Sequence, residues 1–369
     1  MNARAARRHF IFGSAGVVAL CAVPRAFAQP SGTLKVPVVD SLAVRVLVDS
    51  SYDTPRPPAS PTVKVRRSPF ISPTNFRKVL HNEWGLALAL ESRLASETRN
   101  MMLDFGYTPE TLMGNMEVIG VEPTKTQALI ISHGHFDHFG GLIDFLKANR
   151  SRLPRDLTLY VGGEDNFCNR KTASGAPGHF TDWGVLDRRE VEALNVKIVK
   201  CDAPTVLLGH AFTTGRIART SFERVLPSTM VSYHPDANGV GCNMPPEDAK
   251  ANGQFVQDQH WNEHATCYNV KGRGLVVISS CGHAGIVNSV RQAIEVSGEK
   301  DVHAVMGGFH LFPAADDYVR QVVTELKKFQ PDAIIPLHCS GPNMAEALRA
   351  MMPDQYLPST TGTEFTFAA

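Results

Sequence analysis

The sequence predicts an α/β fold, a mixed β-sheet with helices packed on its outside. Two observations carry that expectation. Apolar, strand-like runs early in the chain are joined by short turns. Later, a unit of strand, histidine-bearing turn and helix recurs four times, at His133, His283, His310 and His338.

Taken in order, the chain opens with Arg7-Arg8-His9-Phe10-Ile11, a moderately apolar run from Phe12 to Val23, and Arg25-Ala26-Phe27-Ala28. Small residues stand at the two positions a signal peptidase reads, so residues 1–28 read as a twin-arginine export signal cut after Ala28, which implies a periplasmic protein. The apolar run is too short and too rich in Gly and Ala for an uncleaved anchor. Cys21 follows Leu20, a poor context for lipidation. The remainder, residues 29–369, reads as the folded domain. No later segment is apolar for long enough to span a membrane.

After a loose lead-in, Leu42 to Asp49 runs apolar and predicts the first strand. Six prolines between Ser50 and Pro73 make a loop, placed to overhang a site at the sheet end. Trp84 to Glu91 and Asn100 to Gly106 predict two more strands. Thr108 caps a helix from Pro109 to Ile119, with Pro at its first position.

Gln127-Ala128-Leu129-Ile130-Ile131 is a buried strand, and Leu142 to Lys147 has helical spacing. Between them lies Ser132-His133-Gly134-His135-Phe136-Asp137-His138-Phe139-Gly140-Gly141. His133 and His135, two apart in an extended segment, point to one side and can grip one ion. Asp137 and His138 follow closely enough to reach a second. Imidazoles with one carboxylate suit zinc or another borderline divalent metal. The alternative, a histidine-rich surface loop, explains neither the flanking strand nor the glycines.

Further strands are predicted at 157–161, 196–199 and 205–208. Thr229 to Glu263 is polar and reads as an inserted loop or lid. Order returns with Gly274 to Ser280, which runs into Cys281-Gly282-His283. A helix from Ile286 to Glu295, a strand at Val302–Met306, a helix from Asp316 to Phe329, a strand at Ala333–Leu337 and a helix from Asn343 to Met352 complete the pattern. Residues at the carboxyl ends of such strands lie on one edge of a sheet.

Net charge is +1, from 37 basic and 36 acidic residues, with no dense basic block after the leader, which argues against nucleic acid and leaves a small molecule as the partner. Oligomeric state is not legible. Of the cysteines, Cys281 and Cys339 adjoin candidate ligands and read as buried thiols beside the metal. Any disulfide is expected among Cys168, Cys201, Cys242 and Cys267.

The His-x-His-x-Asp-His loop resembles that of the metallo-β-lactamase-fold superfamily. More narrowly, Val48 to Asp53, Glu83 to Leu86, Leu103 to Gly106, Cys281-Gly282-His283-Ala284-Gly285-Ile286, Gly307-Gly308-Phe309-His310-Leu311 and His338-Cys339-Ser340-Gly341 resemble the dihydropterin–ribofuranosylaminobenzene 5′-phosphate synthase-like branch. That branch usually has His where Trp84 stands here. The resemblance implies an αββα sandwich, two mixed sheets flanked by helices. It implies one ion on His133, His135 and His283, and a second on Asp137, His138 and His338. Asp104, at a neighbouring strand end, either fixes the tautomer of a ligand histidine or caps a turn. His310 is a ligand, a proton donor to a leaving group, a substrate contact or a packed histidine. His303 reads as core, and His264 stands where it can face the site.

The leading functional reading is an exported hydrolase. Its zinc, one ion or two, activates a hydroxide against an ester, lactone, amide or phosphoester, with Asp137 orienting that hydroxide and His310 moving a proton. A synthase-like transferase is the runner-up, and a non-catalytic metal-dependent binding module the third. Many two-metal members of the superfamily carry a bridging Asp on the strand between the two later histidines. No acidic residue lies from Ala304 through Ala315, so the two ions are expected to bind with unequal affinity.

Overall fold

The computed structural model describes residues 34–51, 58–174, 178–244 and 254–369. The export signal expected over residues 1–28 lies outside them. Two sheets stack face to face with helices on both outer surfaces. The first sheet runs, edge to edge, Lys197–Lys200, Thr158–Val161, Ala128–Ile131, Glu97–Leu103, Ala87–Leu94, Ser41–Val48, Thr363–Ala368 and Lys64–Arg67. The second runs Val206–Leu207, Ala211–Thr213, Thr266–Val270, Gly274–Ser279, Val302–Gly308 and Ala333–Leu337, with Val38–Val39 added alongside Thr266–Val270. This is the αββα sandwich.

The layering follows from strands with a period of two, both of whose faces are buried. In Ala128–Ile131, Ala128 and Ile130 point into the core between the sheets, while Leu129 and Ile131 meet Leu112, Met116, Phe145 and Leu146 of the outer helices. In Gly274–Ser279, Val276 and Ile278 face inward. Leu275 and Val277 face the helices that carry Val287, Val290, Val322 and Leu348. Each sheet contains a parallel block. Glu97–Leu103, Ala128–Ile131 and Thr158–Val161 run together, as do Gly274–Ser279, Val302–Gly308 and Ala333–Leu337. Ligand-bearing turns follow the strands of both blocks, so their carboxyl ends form the working edge of the sandwich.

The helix Pro109–Ile119 has the predicted limits, and the Thr108 hydroxyl accepts from the Thr111 N–H. Other boundaries moved. The hairpin strands are Ala87–Leu94 and Glu97–Leu103, and Phe136–Phe139 makes one helical turn inside the metal loop. The proline-rich stretch contains the strand Lys64–Arg67. Thr266–Val270 is buried along its whole length and gives no alternation to read, whereas Thr363–Ala368 alternates and sends Phe365 and Phe367 into the core.

The largest difference concerns 229–263. Where the sequence reads as an inserted loop or lid, Thr229–Ser232 and Val256–Gln257 join Asn169–Ala173 and Phe180–Asp182 in a small antiparallel sheet. Four such short polar strands carry no periodic signal. A Cys168–Cys242 disulfide ties this sheet together. Cys201, Cys267, Cys281 and Cys339 are free thiols, all buried. No described helix is long and apolar enough to cross a membrane.

Candidate metal centre

Every predicted site residue reaches one buried centre. The His133 ring lies 4.5 Å from His135, 4.3 Å from His138 and 4.9 Å from His283, measured between centroids. His138 lies 5.0 Å from His338, and His283 lies 4.2 Å from His310. Asp137 Oδ2 stands 3.4 Å from His338 Nε2, and Asp137 Oδ1 stands 3.8 Å from His138 Nε2. The centre takes groups from the ends of four strands and from the short helix Phe136–Phe139.

Backbone geometry is spent on this arrangement. Asp104, His260, His310 and His338 all adopt left-handed φ, between 47° and 60°. Such residues cost about 1–3 kcal/mol each and persist only where the surroundings fix them. Gly307 and Gly308 allow the close strand crossing here, since a Cβ at either would strike the Ser279 or Ser280 carbonyl oxygen.

In four rings one nitrogen is held, and in His133 and His338 the other is buried without a hydrogen-bond partner. Asp104 accepts from the Ser132 N–H at 2.9 Å and the Ser132 hydroxyl at 2.8 Å. Ser132 Oγ lies 2.9 Å from His133 Nδ1, and Asp104 Oδ2 lies 2.8 Å from His138 Nδ1. Thr229 Oγ1 lies 3.0 Å from His135 Nε2, and Ser50 Oγ lies 3.0 Å from His338 Nδ1. Asp49 accepts from the His338 backbone N–H at 2.7 Å. Outer partners of this kind fix tautomer and ring orientation for a metal.

The atoms left over fit a cation. His133 Nε2, both nitrogens of His283 and of His310, His338 Nε2 and Asp137 Oδ1 are buried without a hydrogen-bond partner. Burying so many orphaned polar atoms is costly unless something binds them. Burial, with neighbouring histidines, lowers His133 and His283 far below the ordinary histidine range, and burial brings His135 to about 4. These rings are therefore neutral at pH 7, as metal binding requires. Burial opposes the Asp137 charge, but His138 and His338 hold its carboxyl below the usual carboxylate range.

The structure adds residues the sequence reading missed. His260 stacks on His283 at 3.8 Å and 12°, and its ring centroid lies 4.8 Å from that of His135. Asp258 Oδ2 stands 3.8 Å from His135 Nε2. Arg170 bonds Asp258, Asp165 and the Gly134 carbonyl inside the metal loop. The buried Glu263 accepts from the Ala284 N–H and so steadies the turn that carries His283. His260, Asp258, Glu263 and Thr229 all come from 229–263. His264 does not face the centre. Its Nε2 lies 3.0 Å from the Ile131 carbonyl oxygen, where it braces the strand before the metal loop. His303 is core and pairs with Asp332.

At the mouth, Trp84 and Phe312 are 45% and 48% exposed and meet edge to face, with Trp84 also against His338. A narrow cleft beside His283 and His310 is bordered by Glu223, Arg224 and Tyr318.

Asp104→Asn tests the outer wiring. Asn keeps the shape and tolerates the left-handed backbone, but removes the charge that Ser132 and His138 share. Metal affinity is expected to fall about 10–100-fold with the fold intact. Competition against a chelator measures it.

The family description for the metallo-beta-lactamase superfamily matches residues 92–166, which include the metal loop. The chain is 27% identical over 266 residues to the 7,8-dihydropterin-6-methyl-4-(beta-D-ribofuranosyl)-aminobenzene-5′-phosphate synthase of Methanocaldococcus jannaschii, covering 70% of this chain and 82% of that protein. It is 36% identical over 248 residues to the uncharacterized protein MJ0448 of the same organism, covering 66% of this chain and 80% of that protein. Among solved structures, Tm1679, described as a metal-dependent hydrolase of the beta-lactamase superfamily, superposes with a TM-score of 0.62 at 18% identity, over 88% of this chain and 98% of that one. That likeness speaks to the fold.

Proposed function

Since the chain belongs to the metallo-β-lactamase superfamily, we propose that it is an exported zinc-dependent hydrolase of a small-molecule ester, lactone, amide or phosphoester. The observation that supports this most is the set of buried, unpartnered side-chain atoms of His133, Asp137, His283, His310 and His338 gathered at one centre, with the opposite ring nitrogens of His133 and His338 held. His133, His135 and His283 would hold one ion, and Asp137, His138 and His338 the other. Bound there, the metal lowers the pKa of a water to about neutrality and polarises the electrophile. Asp137, between His138 and His338, sets the direction of attack. His310, with both ring nitrogens unpartnered beside the open cleft, delivers a proton to the leaving group. Trp84 and Phe312 offer the substrate an apolar rim.

The test is turnover of a panel of these four bond types by zinc-loaded protein, together with His310→Gln. Loss of about 10²–10⁴ in kcat with zinc retained is the expected signature of the proton donor. Metal-loaded protein that turns over nothing points to the binding module.

A transferase reading is favoured by one observation, the match to the Methanocaldococcus synthase over most of that protein's length. Supplying a dihydropterin alcohol and a ribofuranosylaminobenzene phosphate, and looking for the condensed product, separates the two.

Export rests on the leader alone. Processing is expected between Ala28 and Gln29, and replacing Arg7-Arg8 by Lys-Lys is expected to hold the protein in the cytoplasm. N-terminal sequencing and fractionation decide, and normal export of the variant contradicts the twin-arginine route.

A further inference from the structure

We propose that Cys281 is the shared anion of this centre, a thiolate that bridges the two metal positions. The inference rests on the two-ion reading above and supplies what the sequence lacks, a bridging group between the later histidines.

The geometry singles out one sulfur. The ligand atoms of His133, Cys281 and His283 all lie within 4.8 Å of one another, and so do those of His138, Cys281 and His338. The first group takes histidines assigned to one ion and the second takes histidines assigned to the other. Cys281 is the donor common to both. Its Sγ stands 3.5 Å from His138 Nε2. Donors at about 2.3 Å for sulfur and about 2.0–2.1 Å for nitrogen, set tetrahedrally around one zinc, keep close to that separation.

The alternative is a buried thiol that hydrogen-bonds His138 and binds nothing. Against it stands charge. Two divalent ions a few ångströms apart repel strongly in a buried site. Asp137 is the one carboxylate in contact with both His138 and His338 among the described residues, while Asp104 holds the other ring nitrogen of His138. A thiolate between the positions cancels part of the repulsion, and loading breaks the S–H bond, forms metal–sulfur bonds and sends the proton to solvent.

Cys339 fits a supporting part. Its Sγ lies 3.2 Å from Cys281 Sγ and 3.6 Å from the Cys281 carbonyl oxygen, and it accepts from the His310 backbone N–H at 3.3 Å. It can therefore orient Cys281 and the His310 turn together. A Cβ on Gly308 would press against Cys339 Sγ, so the glycine is part of the same packing.

The two ions are then coupled through one sulfur. The unequal affinity expected from the missing carboxylate gives way to joint release under a chelator.

The experiment uses the full chain loaded with zinc, read by metal-to-protein ratio and zinc-edge X-ray absorption. One shared sulfur gives, at two zincs per chain, an average of about one sulfur per zinc at about 2.3 Å. A sulfur on one ion gives about half of that, and a bystander thiol gives none. Cys281→Ser is expected to lose the sulfur signal and fall towards one zinc, while Cys339→Ser keeps both. Should Cys281→Ser fail to fold, the wild-type average and the Cys339→Ser spectrum still decide. Half a sulfur per zinc, no sulfur, a signal lost in Cys339→Ser but kept in Cys281→Ser, or a Cys281–Cys339 disulfide in the loaded protein each overturn the bridge. Two zincs without sulfur leave the hydrolase reading standing. A wild-type protein that takes up no zinc overturns both.

Discussion

His133→Ala and His135→Ala each strip the centre of most of its metal and nearly all of its turnover. Neither ring has another task of comparable weight. His133 leans on Ser132 through Nδ1 and leaves Nε2 unpartnered, and His135 is held through Nε2 by Thr229. Both rings are therefore held in a fixed orientation at the centre. Removing a partner outside the ligands typically costs a metal site about 10–100-fold in affinity, and removing a ligand itself is expected to cost more. Unfolding of the metal-free variants should shift far less than metal content does, because the metal-free wild type already carries a buried, unsatisfied nitrogen at His133. Zinc analysis and turnover measured together decide it. Either variant retaining full zinc and full rate means that the centre has been misassigned.

What the sequence disclosed depended on range. Gln127 to Leu142 announces itself because strand, ligands, glycines and helix are contiguous and each element supports the next. The helix at Pro109–Ile119 was legible to the residue because proline and a capping threonine mark its start and Gly120 its end. His283, His310 and His338 could be placed because each follows an apolar strand. Other residues lacked any such local frame. Arg170 meets Asp258 across 88 positions, and His135 meets Thr229 across 94. Nothing in the polar stretch 229–263 says that it folds back as a strand and sets Thr229, Asp258, His260 and Glu263 beside the metal loop. His260 had one readable hint, an Asp two residues before it, while His264, equally well placed in sequence, turns to the Ile131 carbonyl instead. Cys281 was seen as a neighbour of a ligand. Only the distances show that it belongs to two groups of histidines at once.

Arg170→Met is the substitution expected to cost the fold most. The guanidinium is 1% exposed and bonds Asp258 through Nε at 2.5 Å and Asp165 through Nη2 at 2.5 Å. It also donates to the carbonyls of Gly134 at 3.1 Å and Asp165 at 2.9 Å. One side chain thus joins the metal loop, the strand beside Cys168 and the insert. Met keeps much of the volume but leaves two buried carboxylates unpaired, which typically costs about 3–5 kcal/mol. The pH dependence has a definite sign. Burial raises the Asp165 carboxyl, whereas Asp258, equally buried, is held well below the usual range chiefly by Arg170. Stability from a depressed carboxylate is present above its unfolded value, about 3.9, and fades as pH falls through the folded value. Without Arg170 both carboxyls rise above that value, so the variant loses stability as pH climbs from about 4 towards 7. The gap between wild type and variant should therefore be wide at neutral pH and narrow near pH 4. Arg170→Lys restores one charge but not the fork that spans both acids and Gly134, and should recover only part of the loss. Urea unfolding of the metal-free proteins at the two pH values provides the measurement. Equal midpoints for wild type and Arg170→Met at neutral pH, or a gap that widens on acidification, would show that Arg170 does not hold these two carboxylates together.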